Sequence, residues 1–92
     1  MSKVEFDPKK NEINLAKHGI SLARAAEFQP QLVKFDHRFE YGERRMLAFG
    51  YIDSVAHCLC FVERSGVVRA ISLRRAHEKE LKRHVEENQK TH

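Results

Sequence analysis

The stretch Cys58-Leu59-Cys60-Phe61-Val62 constrains this chain more than any other. Successive side chains of a strand point to opposite faces. Here both faces are apolar, so the segment belongs inside a sheet that is covered on both sides. Val55 to Arg64 extends the run, Arg44 to Tyr51 precedes it and Val67 to Arg74 follows it. The connections Ile52-Asp53-Ser54 and Ser65-Gly66 are short enough to be hairpin turns, the second with the stronger turn chemistry. With a short strand at Gln31 to Phe35, this predicts a four-stranded antiparallel meander.

Two helices are expected before the meander. Asp7 suits an N-cap and Pro8 suits the first helical position, because the missing N–H has no helical partner there. Gly19 offers the stop, and Lys17 and His18 sit favourably at the negative end of the helix dipole. Ser21 is a second N-cap, followed by the small apolar stripe Leu22, Ala25 and Ala26. Pro30 is expected to end this helix by disfavouring helical geometry in the residue before it. A last helix is expected over Arg75 to Asn88. Glu78–Lys82, Lys82–Glu86 and Arg83–Glu87 are i,i+4 pairs of opposite sign, whereas Lys79–Arg83 is repulsive. Its apolar residues are Ala76, Leu81 and Val85, a narrow stripe. The resulting class is α+β, in one domain over residues 1–92 with frayed ends at 1–3 and 88–92.

Ninety-two residues suffice for one modest core. The chain has six Phe, two Tyr and no Trp, so phenylalanine supplies most of the aromatic bulk. The formal net charge of +4 favours polyanionic partners: nucleic acid, an anionic membrane or an acidic protein. The alternative is a surface tuned only for solubility. Three apolar residues give the last helix too small a face for interfacial binding, which argues against a membrane partner. Cys58 and Cys60 point the same way in a strand, roughly 6.6–7 Å apart along it, an awkward span for a disulfide. They are expected as core thiols in a reducing compartment. Met1 to Asp7 has no apolar signal region, so the cytoplasm is the expected location.

Three blocks carry a family resemblance. The first runs from Phe6-Asp7-Pro8-Lys9 through Asn14 to Lys17-His18-Gly19-Ile20. The second is Glu43-Arg44-Arg45 leading to Phe49-Gly50. The third is Arg64, then Arg69-Ala70-Ile71-Ser72-Leu73-Arg74, with Ala76 and Glu80 beyond. In this order they resemble the BrnT family of toxins, and the Lys-His-Gly and Arg-x-Ile-Ser-x-Arg blocks are the specific parts. Phe6 stands where the family usually has Trp, and Leu22 where it often has an aromatic residue. The last helix lacks the aromatic often seen near its middle. The resemblance implies a RelE-like fold: two N-terminal helices, a four-stranded antiparallel meander and a C-terminal helix. It also implies metal-independent cleavage of RNA that inhibits translation. The implied partner is a ribbon–helix–helix antitoxin (BrnA-like), and the implied assembly is a toxin–antitoxin hetero-oligomer.

Metal-free RNA cleavage needs a base for the ribose 2′-hydroxyl, fixed positive charge for the phosphorane, and an acid for the leaving 5′-oxygen. Arginine suits the second role through its planar fork. Arg64 and Arg74 are the first candidates for phosphate contacts. Arg69 alternates with Ile71 and Arg74 with Ser72, so a regular strand would put Arg69 and Arg74 on opposite faces. Glu43 and Arg45 share a face of their strand, and Glu43 is a candidate base. Lys17 or His18 is a candidate proton donor, and Arg44 and Arg69 are candidate substrate contacts. Each also has a plain structural reading: a solvated ion pair for Glu43, edge protection for the arginines, and helix termination for Lys17 and His18. His77, Glu80 and His84 share a helix face, but no second element offers matching ligands, so no metal or cofactor is expected. The competing function is a non-catalytic nucleic-acid or antitoxin-binding module on the same scaffold.

Overall fold

The apolar run lies in the middle strand of a five-stranded sheet. The computed structural model describes residues 3–38 and 42–90. In chain order they form β1 (Val4–Phe6), α1 (Pro8–His18), a 3₁₀ helix (Leu22–Glu27), β2 (Gln29–Phe35), β3 (Met46–Ile52), β4 (Val55–Arg64), β5 (Val67–Arg75) and α2 (Glu78–Lys90). The strand order is β1-β5-β4-β3-β2. On one face Leu22, Ala25 and Phe28 pack against Ala48, Ile52, Leu59, Phe61 and Leu73. On the other, Leu81 of α2 packs with Leu47, Phe49, Cys58 and Cys60. Residues 56–62 are all buried, as apolar side chains on both faces require. Cys58 and Cys60 are free, buried thiols.

The meander is present as β2–β5, each strand antiparallel to the next, but the sheet is mixed. β1 adds a fifth strand parallel to β5, with Val4, Glu5 and Phe6 beside Val68, Arg69 and Ala70. Three residues are too few to display a strand period. The expected fraying at Lys3 is also corrected, because its carbonyl accepts a hydrogen bond from the Val68 amide at 3.0 Å. At the other end α2 continues through Asn88 to Lys90. The remaining frayed positions, 1–2 and 91–92, lie outside the described residues.

The expected second helix is a 3₁₀ helix. Ser21 caps it, accepting from the Ala23 amide at 3.1 Å. The Arg24 amide donates to Ser21 and the Phe28 amide to Ala25, both three residues back. Leu22, Ala25 and Phe28 are buried while Ala26 is exposed. A spacing of three matches the 3.0 residues per turn of this helix, not the 3.6 of an α-helix. Pro30 is not its terminator. It lies inside β2, an edge strand, at a break in register between Pro30 and Leu32, where a missing N–H costs no ladder bond. Arg44 and Arg45 likewise fall before β3, which begins at Met46.

Beyond Phe6, α1 replaces β1 along the outer edge of β5. Asn14, which is buried, acts there as a short strand. Its Oδ1 accepts from the Leu73 amide at 3.0 Å and its Nδ2 donates to the Leu73 carbonyl at 2.8 Å. Nδ2 also donates to the Ile20 carbonyl at 2.9 Å, which ties down the turn after the helix. Exposed strand edges carry unpaired backbone groups, and one amide side chain satisfies both groups of Leu73.

Candidate active site

Three elements bring cations together. The first is the C-terminal end of α1. Gly19 adopts φ 70°, and its amide donates to the Leu15 carbonyl. This left-handed cap ends the helix directly after Lys17 and His18. The second element is β5, which is not regular. Cys60 opposes Ser72 while Phe61 opposes Ala70, so Ile71 is an extra residue. The bulge inverts the alternation. Val68, Ala70 and Leu73 face the core under the 3₁₀ helix, and Arg69, Ile71, Ser72 and Arg74 all face the α2 side. The expectation that Arg69 and Arg74 lie on opposite faces is therefore corrected.

The third element is the segment after β2. The Asp36 side chain is fully buried and accepts from Nε and Nη2 of Arg38, both at 2.9 Å, and from the Arg38 amide at 3.1 Å. Arg38 is thereby turned back over the sheet. The three elements enclose a hollow of about 330 Å³ lined by Lys10, Lys17, His18, Arg38, Ser72 and Arg74, among others.

The electrostatics of this hollow are specific. Partial burial and the charges of Lys17 and Arg74 lower the pKa of His18 below its ordinary 6.5. The imidazole is therefore neutral at neutral pH and able to accept a proton. Arg74 is gripped by Glu80 at the start of α2, Nη1 to Oε1 at 3.2 Å and Nη2 to Oε2 at 2.9 Å, and Nη1 also donates to the Arg75 carbonyl. A guanidinium has five N–H donors. Among the described residues, Nε–H and one Nη2–H, the side of the fork, are left for an incoming oxygen. The same contact lowers the pKa of Glu80 and raises that of Arg74.

An expected result follows for His18. Its NMR titration should have a midpoint below 6.5, and Lys17→Met should move that midpoint upward. A lowered histidine pKa means that the unfolded chain binds the proton more readily, so this group removes stability as pH falls through 6.5. A midpoint at or above 6.5 in the unaltered protein would contradict the arrangement.

A sequence model described as the ribonuclease toxin BrnT of type II toxin–antitoxin systems matches residues 6–80. The chain belongs to the BrnT family. It is therefore a ribonuclease toxin with RNA as its target and an antitoxin as its partner. The match contains all three elements of the hollow and the Glu80 that holds Arg74. None of the curated proteins compared with the chain matches it.

For this BrnT-family member the structure unites some sequence candidates and separates others. Lys17, His18 and Arg74 meet at the hollow. Arg64 lies six residues beyond Cys58, the cross-strand neighbour of Arg74, which is roughly 20 Å along β4. There its Nη2 donates to Glu43 in an exposed ion pair. Glu43, the candidate base, is thus at the other end of the sheet. Arg45 lies closer, with its charge felt by the Cys60 thiol and its carbonyl accepting from the Asp36 amide. Arg44 stands over the Phe35 ring at 5.0 Å. Arg69 is paired across the strands with Glu5 at 3.2 Å.

Arg38 was not among the sequence candidates. The signal was present in Asp36-x-Arg38, a carboxylate two residues before an arginine, but only the burial of Asp36 gives it meaning. His77, Glu80 and His84 do not converge as ligands. Glu80 holds Arg74, His84 stacks on Phe49 and His77 is exposed. Among the described residues, no three His, Cys, Asp or Glu are grouped to hold a metal ion.

Proposed function

We propose that this toxin cuts RNA without a metal ion, by attack of a ribose 2′-hydroxyl on a phosphate seated in the hollow between α1 and β5. The observation that carries this reading is the meeting of Lys17, His18, Arg38 and Arg74 around one space, with His18 kept ready to accept a proton. Neutral His18 takes the proton of the 2′-hydroxyl, and the freed oxygen attacks phosphorus. The Nε–Nη2 side of Arg74 binds the non-bridging oxygens as their charge grows, and Arg38 adds to the positive field. Lys17 protonates the departing 5′-oxygen. The products are a 2′,3′-cyclic phosphate and a 5′-hydroxyl. Glu43 and Arg64 act as a distant ion pair.

Cutting RNA in the cytoplasm inhibits translation until an antitoxin covers the hollow. The partner we infer is a ribbon–helix–helix protein, joined with the toxin in a hetero-oligomer. The antiparallel meander β2–β5 and the C-terminal helix support the RelE-like reading; the added parallel β1 and the 3₁₀ helix depart from the layout it implies.

The test is purified protein on naked RNA in excess EDTA. Cleavage is expected from the unaltered chain. It should fall by about 10²–10³-fold in Arg74→Ala, the loss typical of one preorganised transition-state donor. His18→Ala should fall comparably, and Glu43→Ala by no more than a few-fold. Equal loss in Glu43→Ala and His18→Ala, both shown to be folded, would return the base to Glu43. Absence of cleavage in EDTA that magnesium restores would remove the metal-free mechanism.

A further inference from the structure

Lys34 and His84 take no part in the chemistry above, yet they are held as firmly as the groups that do. Lys34 Nζ donates to His84 Nδ1 at 3.0 Å. The His84 ring is stacked on Phe49, with centroids 4.2 Å apart and planes 17° from parallel. Burial, together with Lys34 and Arg83, lowers the pKa of His84, so Nδ1 keeps its lone pair for Lys34 and Nε2 carries the proton. Glu87 is 4.0 Å from Nδ1, beyond hydrogen-bond reach. Lys34 and His84 line a groove of about 820 Å³ that shares Arg38 and Arg74 with the catalytic hollow. Its two carboxylates, Asp36 and Glu80, are turned onto Arg38 and Arg74.

The two anchoring residues come from α2. Glu80 and His84 lie on successive turns, about 6 Å apart along the axis. Glu80 holds Arg74 and His84 holds Lys34, so successive turns of one helix anchor two cations that line the same groove, one from β5 and one from β2. We propose that Lys34, held in place by Nδ1 of His84, forms a second phosphate subsite, which seats an RNA phosphate neighbouring the scissile one at Arg74. The subsite rests on the ribonuclease reading, and it makes the toxin favour substrates with at least two phosphates. An ammonium with rotatable donors suits a phosphate oxygen, and continuity with the hollow makes RNA, not an acidic protein segment, the occupant.

The experiment compares kcat/KM in EDTA for a dinucleoside monophosphate and for trinucleoside diphosphates extended on the 5′ or the 3′ side. One extension should raise kcat/KM about tenfold, as expected for one charge-assisted hydrogen bond. In Lys34→Gln that ratio should fall to near one, and in Lys34→Arg it should largely persist. A poorly folded variant lowers all three rates together and leaves the ratio intact. Independently, the logarithmic salt dependence of binding to a 2′-O-methyl hexanucleotide should weaken by about 0.7 in Lys34→Gln, one phosphate contact on a single strand. A ratio and salt slope unchanged by Lys34→Gln overturn the subsite, and so does weakened antitoxin binding with the RNA salt slope intact. If the unaltered toxin cuts no RNA, the cleavage chemistry fails while the salt slope still decides the subsite.

Discussion

Asn14→Leu is expected to remove most of the stability of this protein. Leucine matches the shape of asparagine, so no cavity or clash is introduced and the effect is one of hydrogen bonding. Three backbone groups lose their partner: the amide and carbonyl of Leu73 and the carbonyl of Ile20. Leu73 is fully buried and Ile20 nearly so. A buried polar group left unsatisfied costs about 1–3 kcal/mol, so three of them put the expected loss at about 3–9 kcal/mol. Folded domains have only about 5–15 kcal/mol in total. Urea unfolding checks it, and a loss below about 1 kcal/mol would show that α1 is held by other contacts. Asn14→Asp should be nearly as severe. It keeps the acceptor for the Leu73 amide but sets a carboxylate against two carbonyl oxygens. In either variant α1 loosens from β5, so Lys17 and His18 leave Arg74 and cleavage falls with stability.

Gly50→Ala should also be strongly destabilising, for a steric reason. A Cβ at this position would lie 2.1 Å from the Gln29 carbonyl oxygen and 2.8 Å from Pro30 Cα. Both obstacles are backbone, with no flexible end that can swing aside. β2 passes over β3 closely here, at the irregularity that accommodates Pro30. Overpacking costs typically about 1–3 kcal/mol and occasionally more; a backbone clash this short puts the expectation at about 3 kcal/mol. The first residues of β2 would peel from β3, leaving the hollow at the opposite edge of the sheet in place. The midpoint of urea unfolding should drop with little change in slope. A loss under about 0.5 kcal/mol would mean that β2 shifts without cost.

The central strand was legible because its evidence is dense: five apolar residues in a row permit no other placement. Asp7-Pro8 and Gly19 set the bounds of α1 through local chemistry, and the structure has both caps where the residue types put them. β1 was not legible, since Val4 to Phe6 acquires its strand geometry only from the neighbouring β5. The 3₁₀ helix was misread because Leu22 and Ala25 satisfy both helical periods over so short a span; Phe28, three residues further on, distinguishes them. The candidate site turned on a single residue. Nothing in Arg69-Ala70-Ile71-Ser72-Leu73-Arg74 announces that Ile71 is extra, yet that insertion decides which face Arg74 occupies. Lys17, His18 and Arg74 are candidates by their types alone, but the place of Arg38 beside them and the separation of Glu43 depend on how the chain crosses the sheet.

Contacts of Asn14 with Leu73 span 59 residues, and those between Glu5 and Arg69 span 64. The meander, by contrast, is built from hairpins whose partners are close in the chain. Loop-closure entropy makes such local pairings early and distant ones late. The sheet can therefore zip from β2 to β5 before the first eighteen residues dock on β5. Lys17 and His18 travel with that segment and Arg74 waits on the last strand. On the ribosome, α1 can meet the following turn and 3₁₀ helix through Asn14 and Asn11, but its partner strand is missing until β5 has been synthesised. On the proposed mechanism the hollow is thus completed by the final long-range closure of folding, and a chain that still lacks β5 should cut no RNA.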